Sequence, residues 1–174
     1  CRWYLGDENK GKKEYGKSHI HGAIFFNINH ISDKTNDLPH MLPSKEKFSS
    51  FVSNFNIKLN DEIIIYDQCG YFSAARVWFM FSLFGFNKVR ILDGGIIDWK
   101  KKKFPLTAKT ESFKYSSVVK LKKKDDMVIN KEGLLDAIKK PQDFHIIDAR
   151  PNKRYLGIDK EPRPGLKKGN IKSS

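Results

Sequence analysis

The chain has 174 residues, is 39% hydrophobic and 13% aromatic, and carries a formal net charge of +13. That apolar share, with 13 phenylalanines, excludes wholesale disorder and supports a packed core in one domain, or one and a fraction. No apolar run approaches the roughly 20 residues of a membrane span. The two cysteines, Cys1 and Cys69, make no disulfide framework, and no signal-peptide pattern opens the residues, so a reducing compartment and a cytoplasmic location are the expectation. Lysine runs at 100–103 and 122–124 lack the interleaved aromatics that stack bases, which argues against a nucleic-acid partner.

In chain order, residues 1–5 (CRWYL) open without a leading strand, and a charged loop is expected to Lys17. Ala23-Ile24-Phe25-Phe26 reads as a short apolar strand, followed to Pro43 by a loop rich in Asn, Asp and Pro that contains His40. Ser44 caps a helix whose Phe48, Phe51, Val52 and Phe55 recur at i, i+3, i+4 and i+7, an apolar face. Ile63-Ile64-Ile65-Tyr66 reads as a buried strand ending at Asp67. The loop Gln68 to Phe72 hands over to a helix at Ser73–Phe84, apolar almost all round and closed by Gly85. Val89–Leu92 is the next strand, and after Asp93-Gly94-Gly95 a short helix carries Trp99. Strand, helix, strand, helix predicts an α/β fold with a parallel sheet and right-handed crossovers.

From Phe104 to Asp126 the patterning dissolves, which predicts an interdomain linker over 106–126 between a first domain at 1–105 and a second at 127–174. Asn130 caps a helix with Leu134, Leu135 and Ile138 inward. Phe144-His145-Ile146-Ile147 reads as a buried parallel strand ending at Asp148. The loop beyond it, DARPNKRYLGIDKEPRPGL, carries Arg150, Arg154 and Arg163. In open α/β sheets ligands sit beyond the carboxyl ends of strands, and arginine forks match planar anions. The loop therefore suits a small carboxylate or oxyanion. The plainer alternative pairs one arginine with Asp148 and leaves the others solvated.

There is also an internal echo: Cys1-Arg2 resembles Ala149-Arg150, and His19-Ile20 resembles Asn170-Ile171. On that alignment the chain starts just inside one unit and stops early in a second, as a partial piece of a longer two-domain protein would.

The segments HIHGAIFF, SDKTNDLPHMLPS, IIIYDQCGYFSAARVWFMFSLFG, VRILDGGIIDW and IIDARPNKRYLG with EPRPGLKKG together resemble the two-domain sulfurtransferases of the rhodanese family, nearest to the mercaptopyruvate branch and next to the thiosulfate branch. The likeness covers essentially the whole chain. It implies two rhodanese-like α/β domains, the first non-catalytic. It also implies a second-domain cysteine that takes sulfur from a small anionic donor as a persulfide. The acceptor would be cyanide or a thiol, such as thioredoxin or a low-molecular-weight thiol. No cofactor and no membrane partner are implied. The cysteine loop is expected beyond Ser174, so residues 1–174 alone are not expected to transfer sulfur; a non-catalytic binding or regulatory module is the alternative.

The resemblance carries over residue by residue. Arg154 matches the family's donor-binding arginine, and Arg163 a second arginine that contacts the mercaptopyruvate carboxylate. His40 matches a histidine thought to act with an aspartate and a serine. Asn29 stands at the aspartate's place, so no carboxylate there can stabilise an imidazolium, though an amide can still orient the ring. Aligning Ser73-Ala74 with the family's Thr-Ala puts the active cysteine's counterpart at Gln68, one residue before Cys69, which is read as a bystander thiol. Arg76 is read as tying down its loop.

Overall fold

The computed structural model describes residues 1–68, 71–115, 117–172 and 174. They form two compact units, Cys1–Asp125 and Asp126–Ser174. Cys69 lies outside the described residues.

In the first unit, the three-isoleucine run forms β1 (Ile63–Ile65) and the VRI run forms β2 (Val89–Ile91). They pair in parallel, Ile63 with Val89, Ile64 with Arg90 and Ile65 with Ile91. Between them runs α4 (Ala74–Leu83), followed by α5 (Gly95–Lys101), in the order the alternating pattern predicts. Ahead of β1 stands α3 (Lys45–Asn54), begun by the Ser44 side chain, which accepts from the Lys47 N–H. Gly94 caps α5 at φ +72°, where a Cβ would meet the Asp98 carboxylate at 2.5 Å, so glycine is required on both counts.

The core of this unit is aromatic. Phe48 and Val52 of α3, Val77, Met80, Phe81 and Leu83 of α4, and Phe84 and Phe86 after it are all buried. Phe48 stacks on Phe84 at 4.5 Å and meets Phe81 edge-on at 5.1 Å. One expectation needs trimming: α4 is not covered all round, since Trp78 is 40% exposed and uses its indole N–H on the Val89 carbonyl.

Three local readings are corrected. The charged loop before Lys17 contains α1 (Lys10–Lys17), and the Asn-rich loop opens with α2 (Ile28–Ile31), begun by the Asn27 side chain on the His30 N–H. Hydrophobic periodicity is too weak in either to announce a helix. Ala23–Phe26 joins no ladder among the described residues: Phe26 is buried by ring contacts with Phe48, Phe51 and Phe81 rather than by strand pairing.

The patternless segment after Phe104 falls at the junction of the units, and its residues to Asp125 pack with the first. Thr107 bridges His19 antiparallel. Further on, Ser49 Oγ donates to the Val119 carbonyl at 2.6 Å while the Val119 N–H donates to Ser53 Oγ at 3.0 Å. Two serines on α3 thus hold an apolar-poor segment that hydrophobic patterning could not place.

The second unit contains α6 (Lys131–Ile138), capped by the Asn130 side chain on the Gly133 N–H, and α7 (Asn152–Tyr155). Of the helix face expected inward, Leu135 is 51% exposed, and Ala137 is the buried residue instead. The predicted strand Phe144–Ile147 does not form: it joins no ladder, and Ile147 is 85% exposed. A short apolar run supplies a strand's side chains but not its partner, and within this unit no neighbouring strand is described to accept its hydrogen bonds.

Candidate functional site

The first unit gathers His40 and Asn29. α2 carries Asn29, which is buried, and its Oδ1 accepts from the Trp3 indole N–H at 2.9 Å and lies 2.8 Å from His40 Nε2. Because the indole nitrogen only donates, the acceptor at Asn29 is the amide oxygen, and His40 meets it as an N–H donor. His40 adopts a left-handed backbone, φ 61°, and its carbonyl accepts from Arg76 NH2 at 2.7 Å. Trp3 packs edge-on against the imidazole at 5.2 Å. The ring is therefore oriented from several sides, by an amide that brings no negative charge. Burial pushes the Arg76 guanidinium's pKa down. Arg76 is structural, but the loop it ties to α4 is the one that carries His40 and not the neighbouring loop at 68–72 expected from sequence.

In the loop after β1, two helix-start amides are already occupied. Asp67 is fully buried, and its Oδ2 accepts from the Ser73 N–H at 2.6 Å, the Ala74 N–H at 2.9 Å and the Ser73 hydroxyl at 3.3 Å. Amides at a helix start that could hold a ligand's anion are spent on the chain's own carboxylate. Gln68, at the counterpart of the family's cysteine, gives its Nε2 to the Trp3 carbonyl at 2.6 Å and takes the Trp3 N–H on Oε1 at 3.3 Å. Its side chain acts as a strand neighbour for the segment that carries Trp3.

In the second unit the arginine loop folds into a ladder of ion pairs. Arg150 Nε sits across both Asp148 oxygens at 2.9 and 3.0 Å, and NH2 meets Oδ2 at 2.5 Å. The same NH2 donates to the Gly169 carbonyl at 2.7 Å, and NH1 to Glu161 Oε1 at 2.9 Å. Arg154, on α7, places NH2 and Nε on Glu161 Oε2 at 2.5 and 3.1 Å. These bonds from the Arg150 side chain hold the Asp148 carboxyl down to about 2, and those from Arg154 first, then Arg150, hold Glu161 below the usual carboxylate range.

Arg163 is exposed, two residues past Glu161. A hollow of about 580 Å³ lies beside the ladder, walled by Asp148, Arg150, Lys167 and Asn170 among others, and neither Arg154 nor Arg163 is among its walls. Sequence reasoning missed Glu161, the acid both arginines share. Its one signal is position: the only acidic residue between Lys160 and the chain's end, set inside the arginine loop. Among the described residues no cluster of three His, Cys, Asp or Glu is placed to hold a metal ion, and no helix is long and apolar enough to cross a membrane.

The rhodanese-like domain model matches residues 9–102, more than half of the chain. The chain belongs to the rhodanese family. A probable 3-mercaptopyruvate sulfurtransferase of Schizosaccharomyces pombe is 38% identical over 176 residues, covering 99% of this chain and 59% of that protein. The thiosulfate sulfurtransferase of Rattus norvegicus is 34% identical over 175 residues, covering 99% and 58%. The crystal structure of the Escherichia coli 3-mercaptopyruvate sulfotransferase SseA superposes with a TM-score of 0.84 at 32% identity, covering 99% of this chain and 64% of that one. The α/β architecture is thus the rhodanese fold, and the chain spans about three fifths of the length of the curated relatives it matches.

Proposed function

We propose that the whole protein is a sulfurtransferase of the 3-mercaptopyruvate or thiosulfate type. In this reading Arg154 and Arg163 hold the donor's anionic group, and a cysteine beyond Ser174 does the chemistry. With mercaptopyruvate, the cysteine thiolate forms an S–S bond as the donor's C–S bond breaks. The electron pair leaves on pyruvate's carbon, which takes the proton, and the persulfide passes its outer sulfur to a thiol such as thioredoxin or a small thiol, or to cyanide. His40, oriented by Asn29, is the supporting residue of the first rhodanese-like domain, and the second domain begins after the linker. A cytoplasmic location fits this reading.

The observation that carries the proposal is Arg154, presented on a helical turn with its fork fixed by Glu161 and its side chain 26% exposed, in a chain that matches sulfurtransferases along 99% of its length. In the full-length protein, Arg154→Gly and Arg163→Gly are expected to raise KM for mercaptopyruvate. Unchanged KM in both overturns the assignment. A second reading, a non-catalytic binding module, is favoured for the first unit by Asp67 and Gln68, which occupy the places an anion and a nucleophile would need. The coding sequence after Ser174 separates the two, since a cysteine heading a glycine-rich loop supports the enzyme and its absence the module.

A further inference from the structure

We propose that Glu161 is a positioning residue that acts through Arg154. This rests on the reading of Arg154 as a donor-binding residue. A guanidinium has five N–H donors. Glu161 Oε2 takes two of Arg154's, one from Nε and one from NH2. What remains for an external anion is the edge formed by NH1 and the second NH2 hydrogen, a pair spaced for a carboxylate. Glu161 itself cannot swing away, because its other oxygen is held by Arg150 and its side chain is only 5% exposed. Arg150 in turn is fixed by Asp148 and the Gly169 carbonyl. The orientation of Arg154 is therefore set by a chain of contacts that ends in backbone.

Charge counting adds a second consequence. Asp148 and Glu161 offset Arg150 and Arg154, so the ladder is neutral as a whole. A donor anion is drawn to this ladder by no surplus charge, so what Arg154 contributes is direction.

The test is a double-mutant cycle in the full-length protein, with mercaptopyruvate as donor. Glu161→Gln keeps the size of the side chain but cannot accept from both arginines on both oxygens. It is expected to raise KM about tenfold in the wild-type background and to leave KM unchanged in an Arg154→Gly background. If Arg154→Gly alone leaves KM unchanged, the donor-binding reading fails. If Arg154→Gly raises KM but Glu161→Gln leaves it unchanged, or raises it by the same factor in both backgrounds, Glu161 does not act through Arg154 and the inference is overturned. Thermal melting of each variant accompanies the kinetics, since a purely structural role lowers the melting temperature in both backgrounds without a KM effect that depends on Arg154. Should Glu161→Gln not fold, Glu161→Asp takes its place in the cycle, with the same two outcomes, because it keeps the charge beside Arg150 and withdraws the carboxylate from Arg154.

Discussion

Arg2 in the first unit and Arg150 in the second share two of their contacts. Each gives NH2 to a backbone carbonyl, Ser18 at 2.5 Å and Gly169 at 2.7 Å, and each turns NH1 toward a glutamate, Glu14 at 3.9 Å and Glu161 at 2.9 Å. They differ at Nε, which in Arg2 is buried with no hydrogen-bond partner among the described residues and in Arg150 sits across the Asp148 carboxylate, and in what else the glutamate holds. Glu14 accepts from the Tyr4 hydroxyl at 2.6 Å, whereas Glu161 accepts from Arg154. Four residues after Arg2 stands Gly6; four after Arg150 stands Arg154. The shared contacts occur in both units and are therefore scaffold, and Arg154, proposed above to hold the donor, is what the second loop adds to them.

The surroundings of the two clamps differ as much. The first unit is built on phenylalanine: Phe48 and Phe84 are entirely buried. In the second, Ala137 is the buried apolar residue, while Leu135, Phe144, Ile147, Leu156 and Ile158 are each exposed by about half or more. Apolar burial organises one unit and a hydrogen-bonded ion network the other, and that contrast can be broken from either side.

The largest effect is expected from Phe48→Ala. Emptying the centre of the ring cluster costs about 3–5 kcal/mol, read as a lower urea midpoint for the first unit. Asp67→Asn comes next. Its amide cannot accept from both helix-start N–H groups and the Ser73 hydroxyl as the carboxylate does, and the loss is about 1–3 kcal/mol by the same measurement. Arg150→Met removes the hub of the ladder, so amide hydrogens over 148–171 should exchange about tenfold faster while those of α3 and α4 keep their rates; equal acceleration in both units breaks the contrast. The mildest effect is that of acid. The Asp148 carboxyl titrates at about 2 when folded, below its ordinary 3.8. Because the folded value is the lower one, its stabilisation is complete above about pH 4 and is lost as pH falls toward about 2. The Arg150 Nε–H resonance, followed by NMR through that window, should lose its protection while the ring-shifted methyls around Phe48 stay in place.

The contrast also explains what could be read from sequence. The i, i+3, i+4, i+7 face of α3 stands where the pattern put it, and the isoleucine run forms β1 as expected, although Ile64 is exposed where a buried strand is expected. α1 has a glycine at each of two positions and no apolar stripe, so nothing in its sequence announces it. The pairing of His40 with Asn29 was legible only through family resemblance, because it joins residues eleven apart in an irregular loop. Glu161 was not legible at all. A carboxylate shared between two arginines is a fact of three-dimensional arrangement, and periodicity has no term for it. Phe144–Ile147 shows the reverse error: a short apolar run announces a surface that wants covering and is silent on whether anything covers it.

Gln68 has a consequence for anyone who would turn the first unit into a working sulfur carrier. Placing a thiol at that position would discard the two contacts that secure Trp3, and with Trp3 the indole that steadies Asn29 and His40. The newcomer would still face amides that Asp67 already occupies. Awakening this loop takes coordinated replacement of its anchor and its internal anion, and a single exchange would dismantle the neighbourhood before it produced a nucleophile.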